Sequence, residues 1–243
     1  MQTVGVAELE LLAARGWQAL EEEHHGDWLL RAGAGFTGRA NSVLTVGSPG
    51  SPLAAAVDHV AGWYAARGLV PCAQLPFPGA EAADAAFAAA GWQRDEDVLV
   101  LTAPLTDAGP PAVPVRLSAT PDQAWLDAYE YRGAPLPPTA VQVLTSARTA
   151  VFAAIRSGGT TTAVGRGALT DGWLGVTAVT VAAGSRRQGL GTAVMAALTG
   201  WGLARGAHSV YLQVLAANEP ALELYRRSGF TEHHRYHYRR PAR

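Results

Sequence analysis

A glycine-rich segment at residues 186–192, RRQGLGT, is the part of the chain best suited to hold a phosphate group. It follows the apolar run 174–181 and precedes good helix formers, so the expected order is strand, loop and helix. The first N–H groups of a helix lack intrahelical partners and carry the positive end of the helix dipole. Gly189 and Gly191 let a pyrophosphate approach the backbone without an intervening Cβ, and the two arginines add positive charge.

The loop differs from two common nucleotide sites. It lacks the Lys-[Ser/Thr] ending of a P-loop and does not itself read Gly-x-Gly-x-x-Gly. ATP and NAD are therefore poor explanations of this loop, and we expect another phosphate-bearing cofactor.

Two matched motifs resemble the GCN5-related N-acetyltransferases (GNAT family). The loop resembles their acyl-CoA motif, [Arg/Gln]-x-x-Gly-x-[Gly/Ala] at a strand-to-helix turn. Asn218, a short helical stretch, Tyr225 and then Gly229-Phe230 are similar to the second half of that family. The matches lie in the family's order and at its usual separation, over about residues 115–240. The resemblance implies acetyl-CoA as co-substrate, bound by Val179, Thr180, Val181, Arg186, Arg187, Gln188, Gly189, Leu190, Gly191, Thr192 and Asn218.

The chemistry of acetyl transfer accounts for Tyr225. The reaction needs an unprotonated amine, a polarised carbonyl and a proton for the leaving thiolate. A phenol with an ordinary pKa near ~10 is a competent acid, and the resemblance assigns Tyr225 that role; the alternative is an aromatic ring packed under the Gly229 turn. The resemblance also implies that the N–H groups of Val179 and Val181 bind pantetheine and the thioester oxygen.

The base that deprotonates the amine is not identified by the sequence. Many relatives carry a glutamate near the middle of the strand before the loop, whereas residues 175–179 read GVTAV. Other groups remain open as the base, although a solvated surface position is the expected reading of each: Asp171, Glu130, Glu223, His233, His234 and His237.

Composition limits the class of protein. The 243 residues, 49% of them hydrophobic, carry a net charge of −1 and suit a globular protein with a sizeable core. A nucleic-acid-binding chain would be basic, and no apolar run is long enough to span a membrane. The single Cys72 excludes an internal disulfide, and with the absence of a signal-like start it indicates the cytoplasm. No metal site is expected.

The two halves of the chain align at a constant shift of 138 residues. GWYAARG at 62–68 lies opposite GWGLARG at 200–206 (200 − 62 = 138), and Gly91 lies opposite Gly229. At the same shift Phe87 replaces Tyr225, Ala80 replaces Asn218, and SPGSPL replaces RRQGLG. We therefore expect a degenerate GNAT-like domain at 1–104, a proline-rich linker at 105–114 and a catalytic GNAT domain at 115–243, with one acetyl-CoA per chain.

Two further segments carry specific expectations. Alternation over 28–32 predicts a strand with two faces, broken by the glycines that follow, with Arg31 and Arg39 solvated or, less favoured, clamping a substrate carboxylate. Residues 233–240 predict a final edge strand protected by charge. His233 and His237 share one face of it, but no nearby carboxylate or cysteine favours a metal site.

The predicted fold class is α/β (α+β), with two GNAT-like halves that each contain a mixed, mostly antiparallel sheet flanked by helices. The expected elements are helices at 121–131, 192–204 and 220–227 and strands at 209–215 and 231–239. The predicted activity is acetyl-CoA-dependent N-acetylation of a primary amine by direct attack in a ternary complex. Resemblance to two-domain GNAT proteins assigned as N-acetylglutamate synthases favours a small-molecule amine, the α-amine of an amino acid such as glutamate. A protein or peptide acceptor and a non-catalytic acyl-CoA sensor are the alternatives.

Overall fold

The computed structural model describes residues 4–129 and 135–242. Helices flank mixed sheets, which confirms the predicted α/β class. Two compact units divide the chain. Unit 1 contains Met1–Val100, Val214–Ala217 and Glu232–Arg243, and unit 2 contains Leu101–Gln213 and Asn218–Thr231. These units are defined by compactness, whereas the expected domains 1–104 and 115–243 are defined by the internal repeat. The expected domains therefore stay a prediction.

Unit 1 has the strand order β1-β2-β3-β4-β12-β6, and β5 also pairs with β12. β3 and β4 are parallel, whereas β1–β2, β2–β3 and β4–β12 are antiparallel. Its elements are α1 (Val6–Gly16), β1 (Glu21–His25), β2 (Trp28–Ala32), β3 (Val43–Leu44), α2 (Leu53–Ala65), β4 (Ala73–Phe77), α3 (Glu81–Ala89), β5 (Trp92–Arg94), the start of β6 (Val98–Pro104) and β12 (Thr231–Pro241).

The core of unit 1 lies under α2 and α3. Val60 and Tyr64 repeat at helical spacing along α2 and are fully buried, as are Leu30 on β2 and Phe87 on α3. Phe87 stacks on Trp28 with ring centroids 5.9 Å apart. The framework of this half is therefore a packed apolar layer.

Arg31 is buried, which corrects its expected place at a solvated surface. Its Nε donates to the Ser42 carbonyl at 3.0 Å, and its Nη2 donates to Ser42 Oγ at 2.9 Å and Gln74 Oε1 at 2.7 Å. A buried guanidinium needs such acceptors, so Arg31 is committed to the fold rather than to a substrate carboxylate. Arg39 is partly buried, and its guanidinium lies 4.6 Å from the centroid of Trp17.

Residues 33–38, directly after β2, have the sequence pattern Gly-x-Gly-x-x-Gly that the loop at 186–192 lacks. Its backbone turns around the Asn41 side chain, whose Oδ1 accepts from the N–H groups of Gly33 and Gly35, both at 2.9 Å. The next element is the short strand β3 rather than a helix. Because a strand and not a helix follows the turn, it does not have the strand-to-helix context of a dinucleotide fingerprint.

The prediction of a final edge strand was wrong. β12 lies between β4 and β6, and most of its side chains between residues 234 and 238 are buried. His234 Nε2 contacts Glu10 Oε1 of α1 at 2.8 Å, and His237 Nε2 contacts Asp84 Oδ1 of α3 at 2.7 Å. The polar residues that suggested an exposed edge instead meet carboxylates from the helices packed on this strand.

Unit 2 has the strand order β6-β11-β10-β9-β8-β7, and the boundary between the units falls inside β6 and β11. β10 and β11 are parallel, whereas β7–β8, β8–β9 and β9–β10 are antiparallel. Its elements are β7 (Arg116–Ser118), α4 (Gln123–Ala128), α5 (Ala140–Leu144), β8 (Ala150–Ser157), β9 (Thr160–Thr170), β10 (Trp173–Val181), a 3-10 turn (Ala183–Ser185), α6 (Leu190–Leu203), β11 (Ser209–Leu215) and α7 (Glu219–Arg227).

Glycines on β9 let α6 pack closely on the sheet. A Cβ on Gly165 would stand 2.5 Å from Val194 Cγ1, and one on Gly167 would stand 3.3 Å from Leu198 Cδ2. Both glycines face α6, so the helix lies nearer the strands than larger residues would permit. This close packing fixes the start of α6 beside the end of β10.

A bulge interrupts β10 at Ala178, whose φ is 56°. The register between β9 and β10 shifts between Thr177 and Thr180, and recorded pairing with β11 ends at Val176. The N–H of Ala182 donates to Thr162 of β9, so alternation along the strand turns the N–H of Val181 to the other side. The last residues of β10 therefore present backbone donors away from β9.

Among the described residues, no helix combines the length and the apolar character needed to cross a membrane. The same residues contain no group of three or more His, Cys, Asp or Glu side chains placed to hold a metal ion.

Candidate functional site

A cavity of about 920 Å³ lies in unit 2 where β10, α6 and α7 converge; we call it the loop cavity. Eleven of the twelve predicted site residues line it, and Gln188 is the exception. The exposed Gln188 side chain instead reaches the Gly184 carbonyl at 3.5 Å. The lining consists of Val179, Thr180, Val181, Arg186, Arg187, Gly189, Leu190, Gly191, Thr192, Asn218, Pro220, Ala221, Glu223, Leu224, Tyr225, Arg227 and Ser228.

The backbone of the loop takes left-handed values at two positions, φ 62° at Arg187 and φ 75° at Gly189. Gly189 is the N-cap of α6, and no side chain caps the helix there. The N–H groups of the first turn are therefore left for a ligand. A Cβ on Gly189 would meet nothing within 4 Å, so the glycine is needed for its φ, whereas one on Gly191 would stand 3.1 Å from Leu224 Cδ2.

Positive charge dominates the loop cavity. Arg186, Arg187 and Arg227 line it, and Glu223 is the one carboxylate in the lining. Glu223 already accepts from Arg227 Nε at 2.7 Å, and Arg186 Nε donates to the Val181 carbonyl at 3.3 Å. Unbalanced guanidiniums beside a helix N-terminus suit a phosphate-bearing ligand.

Tyr225 lies on α7 with 8% of its surface exposed. Its ring packs on Phe230 with centroids 5.8 Å apart, so the packing role considered from the sequence is present as well. Burial raises the pKa of Tyr225 to about 12. The phenol borders the cavity, and its hydroxyl forms no hydrogen bond within residues 4–129 and 135–242, so it is free to donate to a ligand.

Asn218 caps α7. Its Oδ1 accepts from the Ala221 N–H at 3.3 Å, and Pro220 follows in the first turn. An asparagine at this position is explained by the helix start alone. Its place in the cavity lining agrees with the predicted contact to the coenzyme, which stays a prediction.

The structure separates the candidates for the base. Of the described candidates only Glu223 lines the loop cavity, and Glu130 lies outside the described residues. The three histidines belong to unit 1: His234 contacts Glu10, His237 contacts Asp84, and His233 Nε2 contacts the Val4 carbonyl at 2.8 Å. Asp171 lies in the turn between β9 and β10 and does not line the cavity.

Arg227 is the lining residue with charge that the sequence reasoning missed. It follows Tyr225 by two positions in α7, one of the two basic residues in the last turn of that helix. Residues four apart on a helix lie on one face, so Arg227 accompanies Glu223, which also lines the cavity. This helical spacing can be read from the sequence, but it does not distinguish Arg227 from arginines on the protein surface.

Comparison with known proteins gives a consistent result. A family profile described as "Probable histone acetyltransferase Rv0428c C-terminal" matches residues 3–239. The chain is 32% identical over 250 residues to "Probable histone acetyltransferase Rv0428c" of Mycobacterium tuberculosis, with 98% of this chain and 74% of that protein covered. It is 27% identical over 253 residues to "Uncharacterized N-acetyltransferase YobR" of Bacillus subtilis, with 96% and 98% covered.

The fold has solved counterparts. A GCN5-related N-acetyltransferase from Kribbella flavida matches with a TM-score of 0.70 and 19% identity, over 98% of this chain and 96% of that one. The fold and the relatives together define a GNAT-type N-acetyltransferase, and the chain is an enzyme of that class. Within the class, the chain belongs to the family of the profile that matches nearly its whole length.

Proposed function

We propose that the protein transfers an acetyl group from acetyl-CoA to the primary α-amine of a small molecule, glutamate among the candidates, by direct attack in a ternary complex. The supporting observation is that three features border the same cavity: the uncapped start of α6, which suits a phosphate group, the last residues of β10, and Tyr225. GNAT-fold acetyltransferases use acetyl-CoA, which supplies the activated acetyl thioester when bound.

The residues of the loop cavity fit coenzyme A. The N–H groups at the start of α6, with Arg186 and Arg187, hold the diphosphate, and Gly191 leaves room for it beside Leu224. Val181 offers a backbone donor on the side of β10 away from β9, and the resemblance assigns the same role to Val179. These donors orient the pantetheine arm and polarise the thioester carbonyl without any side chain.

Tyr225 donates a hydrogen bond to the departing thiolate. A phenol with a pKa of about 12 is a weaker acid than a free thiol, whose reference pKa is ~8.5. Tyr225 therefore keeps its proton at rest and stabilises negative charge on sulfur as the carbon–sulfur bond breaks. Full transfer of that proton to the thiolate is uphill, so coenzyme A leaves as the thiolate and takes a proton from solvent afterwards.

The internal repeat supports a tandem origin with a degenerate first copy, residues 1–104 before the catalytic copy 115–243. α3 and α7 coincide at both ends at the 138-residue shift, and α2 and α6 coincide within a residue. The ring pair Phe87–Trp92, at 4.7 Å, lies opposite Tyr225–Phe230, at 5.8 Å. Phe87 lacks the hydroxyl, so we assign the chemistry to the second copy.

A protein or peptide amine is the second candidate for the acceptor, because one relative is named as a probable histone acetyltransferase. Release of free thiol from acetyl-CoA, measured against amino acids, simple amines and basic peptides, decides between the classes. Turnover restricted to amino acids supports the proposal. Turnover restricted to peptides replaces the acceptor, and tight coenzyme binding with no turnover on any acceptor favours a sensor.

The role of Tyr225 is tested by Tyr225→Phe, which keeps the ring against Phe230. We expect kcat to fall at least about tenfold while the KM for acetyl-CoA changes little, because a charge-assisted hydrogen bond is lost. The matched control is Tyr236→Phe, which removes another buried phenol in unit 1. Equal turnover of both variants and the parent protein removes Tyr225 from the mechanism.

A further inference from the structure

Unit 2 contains a second cavity, of about 560 Å³, that shares no lining residue with the loop cavity; we call it the Trp201 cavity. It lies where the carboxyl-terminal part of α6 meets β7 and the residues that lead into β8. Its volume is in the range of small-molecule sites. The lining is Leu117, Ser118, Ala119, Thr120, Thr145, Ala147, Arg148, Thr149, Ala150, Val151, Trp201 and Arg205.

The charges in this lining are all positive. Arg148 and Arg205 are both exposed, and no carboxylate is among the lining residues. Within residues 4–129 and 135–242, Arg148 forms no hydrogen bond or ion pair. Arg205 lies over Trp201, 4.6 Å from its ring, and Nη1 donates to the Trp201 carbonyl at 3.4 Å. Neither guanidinium is neutralised by the described chain.

The same tryptophan–arginine pair occurs 138 residues earlier, in unit 1. Arg67 lies over Trp63 at 3.6 Å, and its Nη1 donates to the Trp63 carbonyl at 2.9 Å. In unit 1, both members of the pair donate hydrogen bonds to carboxylates of β1. Glu21 accepts from the Arg67 guanidinium, and Glu23 accepts from Trp63 Nε1 at 2.7 Å.

The two tryptophan–arginine pairs therefore differ in the hydrogen-bond acceptors that surround them. In unit 1, two carboxylates of one strand occupy the guanidinium and the indole N–H. In unit 2, Ala147, Thr149, Ala150 and Val151 border the pair and supply no carboxylate, and Arg148 adds a second cation. The Trp201 indole has no hydrogen-bond acceptor within the described residues.

We propose that the Trp201 cavity binds a small dicarboxylate. One carboxylate pairs with Arg205 as Glu21 pairs with Arg67, and the other accepts from the Trp201 indole, as Glu23 does from Trp63, beside Arg148. Ser118, Thr120 and Thr149 also line the cavity. The inference rests on the contacts of unit 1 and is independent of which amine the enzyme acetylates.

Calorimetry of the full chain with glutarate at low ionic strength tests the site. Glutarate binding that depends on Arg148 and Arg205 should occur once per chain, and it should weaken as salt is added. Arg148→Gln and Arg205→Gln should each weaken it at least about tenfold, the loss expected for a hydrogen bond to a charged group. Because Arg148 has no described partner, its variant is expected to fold normally.

Two matched variants separate this site from others that bind anions. Arg67→Gln removes the equivalent guanidinium of unit 1, and Arg187→Gln removes a guanidinium of the loop cavity. Both should bind glutarate like the parent protein, and acetyl-CoA affinity should be unchanged by Arg148→Gln. The proposal is overturned by absent glutarate binding, by binding insensitive to the two Trp201-cavity variants, or by binding of an acidic peptide in place of glutarate.

Discussion

At the residue scale, the loop cavity depends on groups whose ordinary properties are altered by their positions. Tyr225 keeps a proton because its burial disfavours the phenolate, and Arg187 and Gly189 hold φ values that favour glycine. The Arg187 backbone costs roughly 1–2 kcal/mol in this region. Such a cost at a loop that borders a cavity is typical of functional sites.

The pKa of Tyr225 predicts the alkaline behaviour of the enzyme. Since the folded-state pKa is raised to about 12, the phenol stays protonated throughout neutral and moderately alkaline solution. We expect kcat/KM to rise as the acceptor amine loses its proton, with no fall below about pH 10 from ionisation of this group. A pH profile measured with a fixed acceptor checks this; a descending limb near pH 9 that disappears in Tyr225→Phe contradicts it.

Gly189 is predicted to be needed for coenzyme binding and not for packing. In Gly189→Val the new side chain has open space but must adopt a φ of 75°, which a β-branched residue strongly disfavours. The loop should shift, and acetyl-CoA affinity should fall at least about tenfold, as for loss of charge-assisted contacts.

Gly184→Val is the matched control for that change. Gly184 belongs to the neighbouring 3-10 turn, has no contact within 4 Å of a built Cβ, and has an ordinary φ. Calorimetry should give the parent affinity for Gly184→Val. Equal losses in both variants would show that the loop tolerates no added bulk, and the argument from φ would fail.

At the element scale, strand ends and helix starts position the chemistry. The bulge at Ala178 turns the last residues of β10, and Gly165 and Gly167 bring α6 close to β9. Ala178→Val should destabilise the protein by about 1–2 kcal/mol, because a β-branched residue is placed at a left-handed φ. Urea unfolding measures this, and Ala178→Gly serves as the control with a small effect; a neutral valine variant contradicts the strained bulge.

The contact between β12 and α3 predicts a dependence of stability on acid. Burial lowers the pKa of His237 despite Asp84, so the folded state favours neutral histidine. Burial alone would raise the pKa of Asp84, but hydrogen bonds from Arg239 and His237 together lower it. Both groups bind protons more readily when unfolded, so stability is full above the unfolded pKa values and is lost as pH falls.

The first loss belongs to His237 and begins near its reference pKa of ~6.5. The second belongs to Asp84 and follows below about pH 4, near the reference pKa of an aspartate. Urea unfolding at a series of pH values measures both. His237→Gln should flatten the dependence between about pH 5 and 7; an unchanged slope in that variant contradicts the assignment.

Local patterns predicted many elements well. The strand at 209–215 has the predicted bounds, and α7 begins one residue before the predicted helix. α6 begins at Leu190 rather than at 192 because Gly189 is its N-cap, so the helix starts inside the glycine motif. The motif also located the cavity, since the residues of a strand end and the following helix start must be neighbours.

Local sequence patterns could not predict contacts between residues that are far apart in the chain. Alternating His, Arg and Tyr in β12 is equally typical of an exposed edge, and only Glu10 and Asp84, far away in sequence, make burial of the histidines possible. Arg31 was misassigned for the same reason, because Ser42 and Gln74 satisfy its guanidinium.

At the scale of the whole molecule, the proposed tandem origin predicts how many molecules of coenzyme bind to one chain. The segment opposite the loop reads SPGSPL, and Pro52 is the N-cap of α2 where Gly189 caps α6. The segment lacks both arginines, and Ser51 and Leu53 stand opposite Gly189 and Gly191. Calorimetry should therefore give one acetyl-CoA per chain; two equivalent sites would contradict a degenerate first copy.

The place of β12 beside β4 sets an order of events during translation. Phe77 pairs with Arg235, so β4 waits for a strand made 158 residues later (235 − 77 = 158). At the usual ribosomal speed of roughly 5–20 residues per second, that wait lasts about 8–32 s. Until then one edge of β4 lacks its partner strand, and unpaired strand edges of this kind are prone to aggregation.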